Sequence, residues 1–329
     1  MAGAGAHIVK HYRELAFMGF IEVVKNLKTI FRNLSFCKKD IRDFQPDVII
    51  LIDYPGFNLR IARWAKAAGF KIIYYISPQV WAWKENRVHT IKKCVDKMLV
   101  ILPFEKAFYK KWHYEVEYVG HPLVEVVNDW RAQYNTVEKD NLVALLPGSR
   151  KQEIIKKLPV MLETSTFFPE YQFVVAMAPG VEEEFYGSLL KAYPQVKTTL
   201  GKTYDLLLQA KAALVTSGTA TLETALFGVP EVVCYKGSPV SYAIAKRVIK
   251  IKYISLVNLI MDKPVVKELI QHELTVPHLK AELYDLLTNR ERISSLEKDY
   301  TALKALLSEG GHASANAARA INNFLGNGS

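Results

Sequence analysis

Four short loops in this chain carry residues that could hold an anion or move a proton. Pro147-Gly148-Ser149-Arg150 joins a glycine, which lets backbone approach a phosphate, to an arginine whose fixed charge suits a diphosphate. A tight turn with an arginine at a helix start would read the same way. Thr216-Ser217-Gly218-Thr219-Ala220-Thr221-Leu222-Glu223 runs through hydroxyls and glycine toward a helix, with Glu223 near the first turn, a group able to hold phosphates and a ribose. Helix capping accounts for one such hydroxyl but not for a run of four with a carboxylate. In Asp53-Tyr54-Pro55-Gly56-Phe57-Asn58 the carboxylate is placed either to act as general base toward a sugar hydroxyl or to cap the next helix. His121, within Gly120-His121-Pro122-Leu123, would orient a substrate or cap a turn between domains.

Other chemistries lack their signatures. There is no G-x-x-x-x-G-K-[ST] loop, no G-x-G-x-x-G after a strand and no G-x-S-x-G elbow. The eight histidines include no H-E-x-x-H or other ligand spacing, so no metal site is expected. Cys37, Cys94 and Cys234 lie far apart in apolar or helical patterns, as reduced buried thiols do. Trp81 and Trp83, with Arg87 nearby, would bind a sugar or acyl chain or simply pack. Between positions 238 and 260, apolar residues alternate with Lys246, Arg247, Lys250 and Lys252, a basic amphipathic stretch suited to an anionic membrane surface or to a solvated helix face.

The elements that must position these loops follow one grammar. Apolar residues at three-to-four-residue spacing predict a helix over 19–43, closed by Pro46. The β-branched run 48–52 predicts a strand buried on both faces, followed by a helix over 59–68 and a strand over 71–76, which makes a βαβ unit. Strands over 97–101 and 116–119 extend it. A second half repeats the pattern with strands over 141–146, 172–176, 213–215 and 231–235 and helices near 153–164 and 219–227. Each half reads as a doubly wound α/β sheet joined by a polar linker near 129–140, and in such sheets ligands sit outside the carboxyl ends of the strands. All four loops lie there.

At 329 residues the chain is long enough for two domains. Its opening residues lack a basic segment leading into an apolar one, and nowhere do 18 apolar residues run together, so neither export nor membrane spanning is expected. The formal charge of +10 implies an anionic partner: nucleic acid, a phospholipid surface or phosphorylated substrates. No nucleic-acid-binding motif accompanies that charge.

Taken in order, Ile52-Asp-Tyr-Pro-Gly-Phe-Asn58, Ser77-Pro-Gln-Val-Trp-Ala-Trp83, Val119-Gly-His-Pro122, Leu146-Pro-Gly-Ser-Arg150, Thr216-Ser-Gly-Thr-Ala-Thr-Leu-Glu223 and Tyr253-Ile-Ser-Leu-Val-Asn258 resemble the lipid-A-disaccharide synthase family over nearly the whole chain. The resemblance implies an α/β GT-B fold of two Rossmann-like domains: an acceptor-side domain over 1–138, a UDP-binding domain over 139–305 and a C-terminal helix over 306–329. It implies an inverting glycosyltransferase that joins UDP-2,3-diacylglucosamine to 2,3-diacylglucosamine 1-phosphate through a β-1,6 bond and releases UDP. No cofactor or metal is implied. On the matching motifs, Gly148, Ser149, Arg150, Ser217, Gly218, Thr219 and Glu223 would hold UDP, Asn258 would contact donor phosphate or sugar, His121 and Asn58 would contact substrate, and Asp53 would be the base. The expected setting is cytoplasmic and peripheral on the inner membrane, with a homodimer as candidate assembly. Family members open with a strand and a Gly-Glu-Ala-Ser-Gly-Asp loop that have no counterpart here, so the first domain is expected to be incomplete at its start. Competing readings are another GT-B UDP-sugar enzyme, an epimerase or transferase, or a UDP- or membrane-binding form without catalysis.

Overall fold

Short β-branched runs bounded by Pro, Gly and Asp become parallel strands, because a strand covered on both faces must be apolar throughout and needs a crossover helix to return. The computed structural model describes residues 2–10, 27–134, 139–239, 242–243, 247 and 251–326. Helix α1 (Leu27–Phe44) leads to β1 (Ile49–Ile52), α2 (Pro55–Ala67), β2 (Ile72–Tyr75), α3 (Val88–Cys94), β3 (Lys97–Val100), α4 (Phe104–Lys110), β4 (Glu117–Tyr118) and α5 (Pro122–Ala132). The second half follows with β5 (Leu142–Leu146), α6 (Lys151–Ser165), β6 (Gln172–Met177), α7 (Glu183–Leu190), β7 (Lys197–Leu200), α8 (Thr203–Gln209), β8 (Ala212–Thr216), α9 (Thr219–Leu226) and β9 (Glu231–Tyr235). It closes with α10 (Leu256–Met261), β10 (Lys267–Ile270), α11 (Val276–Thr288), α12 (Arg290–Ser308) and α13 (Ala313–Gly326).

Both sheets are parallel. The first runs β1-β2-β3-β4, without a reversal among the described strands. The second runs β10-β9-β8-β5-β6-β7, so the chain builds outward from β5 in one direction and then restarts on its other side with β8. That reversal between β5 and β8 is a topological switch point, where the crossovers part and leave a crevice at the strands' carboxyl ends.

One face of the first sheet presents Ile72, Tyr74, Met98 and Val100 to a core shared with α1, α2 and α3. The alternate residues Ile73 and Leu99 face the other way, onto Ala317 and Ala320 of α13. The last helix of the chain therefore completes the first domain. Its small buried alanines let its axis come close to the sheet. The 305/306 boundary expected from sequence falls inside α12, which packs in the second domain's core through Leu296, Tyr300, Leu303 and Leu307.

Most expected elements are present with ends moved by a residue or two, but the helix expected over 59–68 begins at Pro55, since proline suits a first helical turn. Strands β7 and β10 were not expected. Both lie at sheet edges and read Lys-Thr-Thr-Leu and Lys-Glu-Leu-Ile, without an unbroken apolar run. Part of the 19–43 helix (19–26) and of the linker (135–138) lies outside the described residues.

Candidate functional site

The switch point holds a cavity of about 420 Å³ built from two of the sequence-identified loops. Gly148, Ser149 and Arg150 follow β5, and Ser217, Gly218 and Thr219 follow β8, with Glu223 one turn into α9. Gly148 has φ +124°, and a Cβ there would lie 2.6 Å from the Glu153 carboxylate. Gly218, at the N-cap of α9, has φ +133°; side-chain-bearing residues rarely adopt either angle. The glycines thus leave the backbone of both loops bare toward the cavity, and two helix starts, α6 and α9, border it.

The hydroxyl run divides its labour. Thr221 donates back to the Gly218 carbonyl at 2.8 Å, and Thr216 accepts from Lys157, which leaves Ser217 and Thr219 on the cavity wall. Arg150 pairs with Glu153 at 2.9 Å on the rim. Glu223 accepts from the Tyr204 hydroxyl at 3.1 Å, and burial raises its carboxyl above the usual range, partly offset by that bond.

Lys157 was not expected. It lies on the buried face of α6 among Ile154, Leu158 and Met161, and its Nζ would stand 3.5 Å from a Cβ at Gly148. Burial lowers its pKa, while the Glu153 charge works the other way. A lysine falling on the apolar period of an amphipathic helix was the available signal. It places a basic side chain beneath the Gly148 loop.

The Asp53 loop is a separate group at the end of β1. Asp53 and Tyr54 have φ +46° and +45°, a pair of left-handed residues without glycine. The strain is held by Asn58, whose amide donates to the carbonyls of Ile52 (3.0 Å) and Asp53 (2.7 Å), and by the Tyr74 hydroxyl, which donates to the Asp53 carbonyl at 2.5 Å. Among the described residues the Asp53 carboxylate takes no hydrogen bond and forms no ion pair. Asn58 therefore shapes the loop, and Asp53 is presented outward by it.

Two expected site residues stand apart. Asn258 is buried, its amide donating to the Val266 carbonyl (2.9 Å) and the Glu268 carboxylate (3.0 Å) while its oxygen accepts from the Val266 amide, so both of its N–H donors are used within the fold. His121 is buried at the N-cap of α5, where Nδ1 accepts from the Leu123 amide, and burial lowers its pKa to about 4. It caps the turn between domains. Trp81 packs edge-on against Phe104 at 4.9 Å, whereas Trp83 is exposed with Lys84 and Arg87 over its ring. The described residues include no cluster of His, Cys, Asp or Glu able to hold a metal ion.

Residues 1–322 match the lipid-A-disaccharide synthetase family. The lipid-A-disaccharide synthase of Syntrophus aciditrophicus is 40% identical over 330 residues, covering 97% of this chain and 86% of that protein. The chain belongs to that family. Another lipid-A-disaccharide synthase, from Trichlorobacter lovleyi, is 36% identical over 94% of this chain and 84% of its own length. Among solved structures, a kitacinnamycin glycosyltransferase superposes with a TM-score of 0.59 at 15% identity over 93% of this chain and 82% of its own. The UDP-GlcNAc 2-epimerase of Neisseria meningitidis, bound to UDP-GlcNAc, gives 0.55 at 13% identity over 93% and 83%. At such identities the likeness concerns the fold alone, and it is the GT-B fold that this lipid-A-disaccharide synthase family member adopts. The loops that meet at its switch-point cavity are Leu146–Arg150 and Thr216–Glu223, two of the segments on which the resemblance was drawn.

Proposed function

We propose that the protein is an inverting glycosyltransferase that joins UDP-2,3-diacylglucosamine to 2,3-diacylglucosamine 1-phosphate, forming a β-1,6-linked disaccharide 1-phosphate and UDP. The observation that carries this reading is the switch-point cavity, where bare glycine backbone, two helix starts, Ser217, Thr219 and Arg150 surround a space, with Lys157 buried behind its wall and bonded to Thr216. UDP would lie there, with its diphosphate against these donors and a ribose hydroxyl on Glu223. The acceptor's 6-hydroxyl oxygen attacks the donor's anomeric carbon, the bond from that carbon to the diphosphate oxygen breaks, and Asp53 takes the hydroxyl proton. The charge on the departing diphosphate is stabilised by Arg150, Lys157 and the N–H groups at the helix starts.

Both substrates carry acyl chains, and the surface supports a reading as a peripheral protein on the cytoplasmic side of the inner membrane. Exposed Phe31, Phe36 and Phe44 on α1 stand among Lys28, Arg32, Lys38, Lys39 and Arg42. Arg247 and Lys252 of the basic stretch are exposed as well, while Lys246 and Lys250 lie outside the described residues. No helix among the described residues is long and apolar enough to cross a membrane.

The test is UDP release in detergent with each lipid omitted in turn. Release should need both lipids; release from the donor alone, or none with both, would overturn the reading. In the same assay Asp53→Asn, a change that suits a left-handed backbone, should cut kcat by about 10²–10⁴-fold with donor KM kept. Equal losses in both would remove Asp53 as the base.

A further inference from the structure

A second cavity, of about 350 Å³, adjoins the Asp53 loop and is lined by Arg60, Arg63 and Arg87 together with Ile30, Phe57 and Leu59. Arg60 and Arg63 stand three residues apart on α2 and so share one of its faces. Arg87 comes from the turn that leads into α3, which packs beside α2. The Arg63 guanidinium donates to Thr90 Oγ1, on the cavity wall, at 3.0 Å, and Arg87 lies over the ring of Trp83, outside the cavity, at 5.6 Å, so two of the three cations are held in place by neighbouring side chains. No carboxylate lines it, and among the described residues none of the three arginines forms an ion pair. Three like charges converging without a counter-ion repel one another, a cost that an anion with several oxygens would relieve.

Tyr54, Pro55 and Gly56 also line it, so an anion held here sits against the loop that presents Asp53. Arg87 and Asp53 both act on the buried Tyr74 hydroxyl, with opposite effect because their charges are opposite, so both charges stand near that group. Guanidinium forks match phosphate oxygens in geometry, and the apolar wall of Ile30, Phe57 and Leu59 suits an acyl chain beside them.

We infer that this cavity binds the terminal phosphomonoester of the acylated-sugar acceptor and thereby places the acceptor against Asp53. The identity of the ligand rests on the reaction proposed above: the donor's phosphates are accounted for at the second sheet, and the acceptor brings one more phosphate. The shared chemistry, a phosphate carried on a lipid, would also fit a bilayer headgroup, and the experiment separates the two.

Binding of 2,3-diacylglucosamine 1-phosphate and of its dephosphorylated form to the full chain would be measured by calorimetry in neutral detergent, without donor. The proteins compared are the unaltered chain, the double variant Arg60→Gln with Arg63→Gln, and Arg87→Gln. The unaltered chain should prefer the phosphorylated lipid by about tenfold or more, and both variants should lose that preference while binding the dephosphorylated form as before. In UDP release, acceptor KM should rise by a similar factor with donor KM within about twofold. An unchanged preference, or an equal loss for both lipids, would overturn the inference. So would loss of binding to phosphatidylglycerol vesicles with the acceptor preference intact, which would mark a headgroup site. A preference abolished by the variants in a chain that releases no UDP would leave the pocket standing and remove the reaction. UDP release that the variants leave unaltered would do the reverse.

Discussion

Glu105 sits in the first turn of α4 with 1% of its surface exposed, and the Leu102 amide donates to its carboxylate at 3.0 Å. Burial raises its pKa to about 7, offset in part by that amide and by Ser77. A folded-state value above the unfolded one means that the stabilising contribution is complete below the ordinary carboxyl value of 4.5 and is lost as pH rises through about 7. Glu105→Gln keeps a neutral group at every pH. Its stability relative to the unaltered chain should therefore improve between pH 4.5 and about 8.5 by up to about 3 kcal/mol, read from urea midpoints. Parallel pH profiles would show that the carboxyl is hydrated in the fold. Asn258 and Lys157 mark the two directions in which residue types mislead. Asn258 has the chemistry of a ligand contact and uses it on Val266 and Glu268, whereas Lys157 has the chemistry of a helix surface and lies buried beneath the Gly148 loop.

At the scale of elements, β1 and β2 have nearly the same composition and different surroundings. Ile73 of β2 is fully buried against α13, whereas Ile50 and Ile52, on the corresponding face of β1, are 41% and 39% exposed. Ile73→Ala should cost about 2–5 kcal/mol by leaving a cavity under the helix, and Ile50→Ala less than about 1 kcal/mol. Equal costs in chemical denaturation would mean that α13 does not cover this face in solution. The sequence pattern foretold both strands equally well, because an apolar run predicts burial without naming what does the burying.

At the scale of the molecule, the two crossings between domains touch. A Cβ on Gly310 would lie 2.5 Å from the Gly120 backbone nitrogen and Cα, and Asn316 ties the two segments by donating to the carbonyls of Val119 and Gly310. Tyr118 donates across to the Leu307 carbonyl at 3.1 Å. Gly310→Ala must push the crossings apart and should destabilise by about 1–3 kcal/mol. Gly187→Ala, in α7 with nothing within 4 Å, should be neutral or slightly stabilising. Thermal midpoints compare the two, and a Gly310→Ala protein as stable as the Gly187 variant would show the crossings to be apart in solution. Activity should fall along with stability at Gly310, since Asp53 and the switch-point cavity belong to different sheets and the crossings set their relation.

Much of this was legible in the residues alone. The parallel strands announced themselves because burial on both faces demands continuous apolar runs, and the glycine and hydroxyl loops because bare backbone and short polar side chains are what an anion-binding strand end requires. The six quoted motifs, in order, were enough to indicate the family. Edge strands β7 and β10 escaped because half-solvated strands need no such run. Only the tertiary structure could show that β5 and β8 are neighbours, that α13 returns to close the first domain, and that Arg60, Arg63 and Arg87 converge on one cavity. Each of these is a meeting of segments distant in sequence, decided by how helices and sheets cover one another's apolar faces, and no local pattern records the partner.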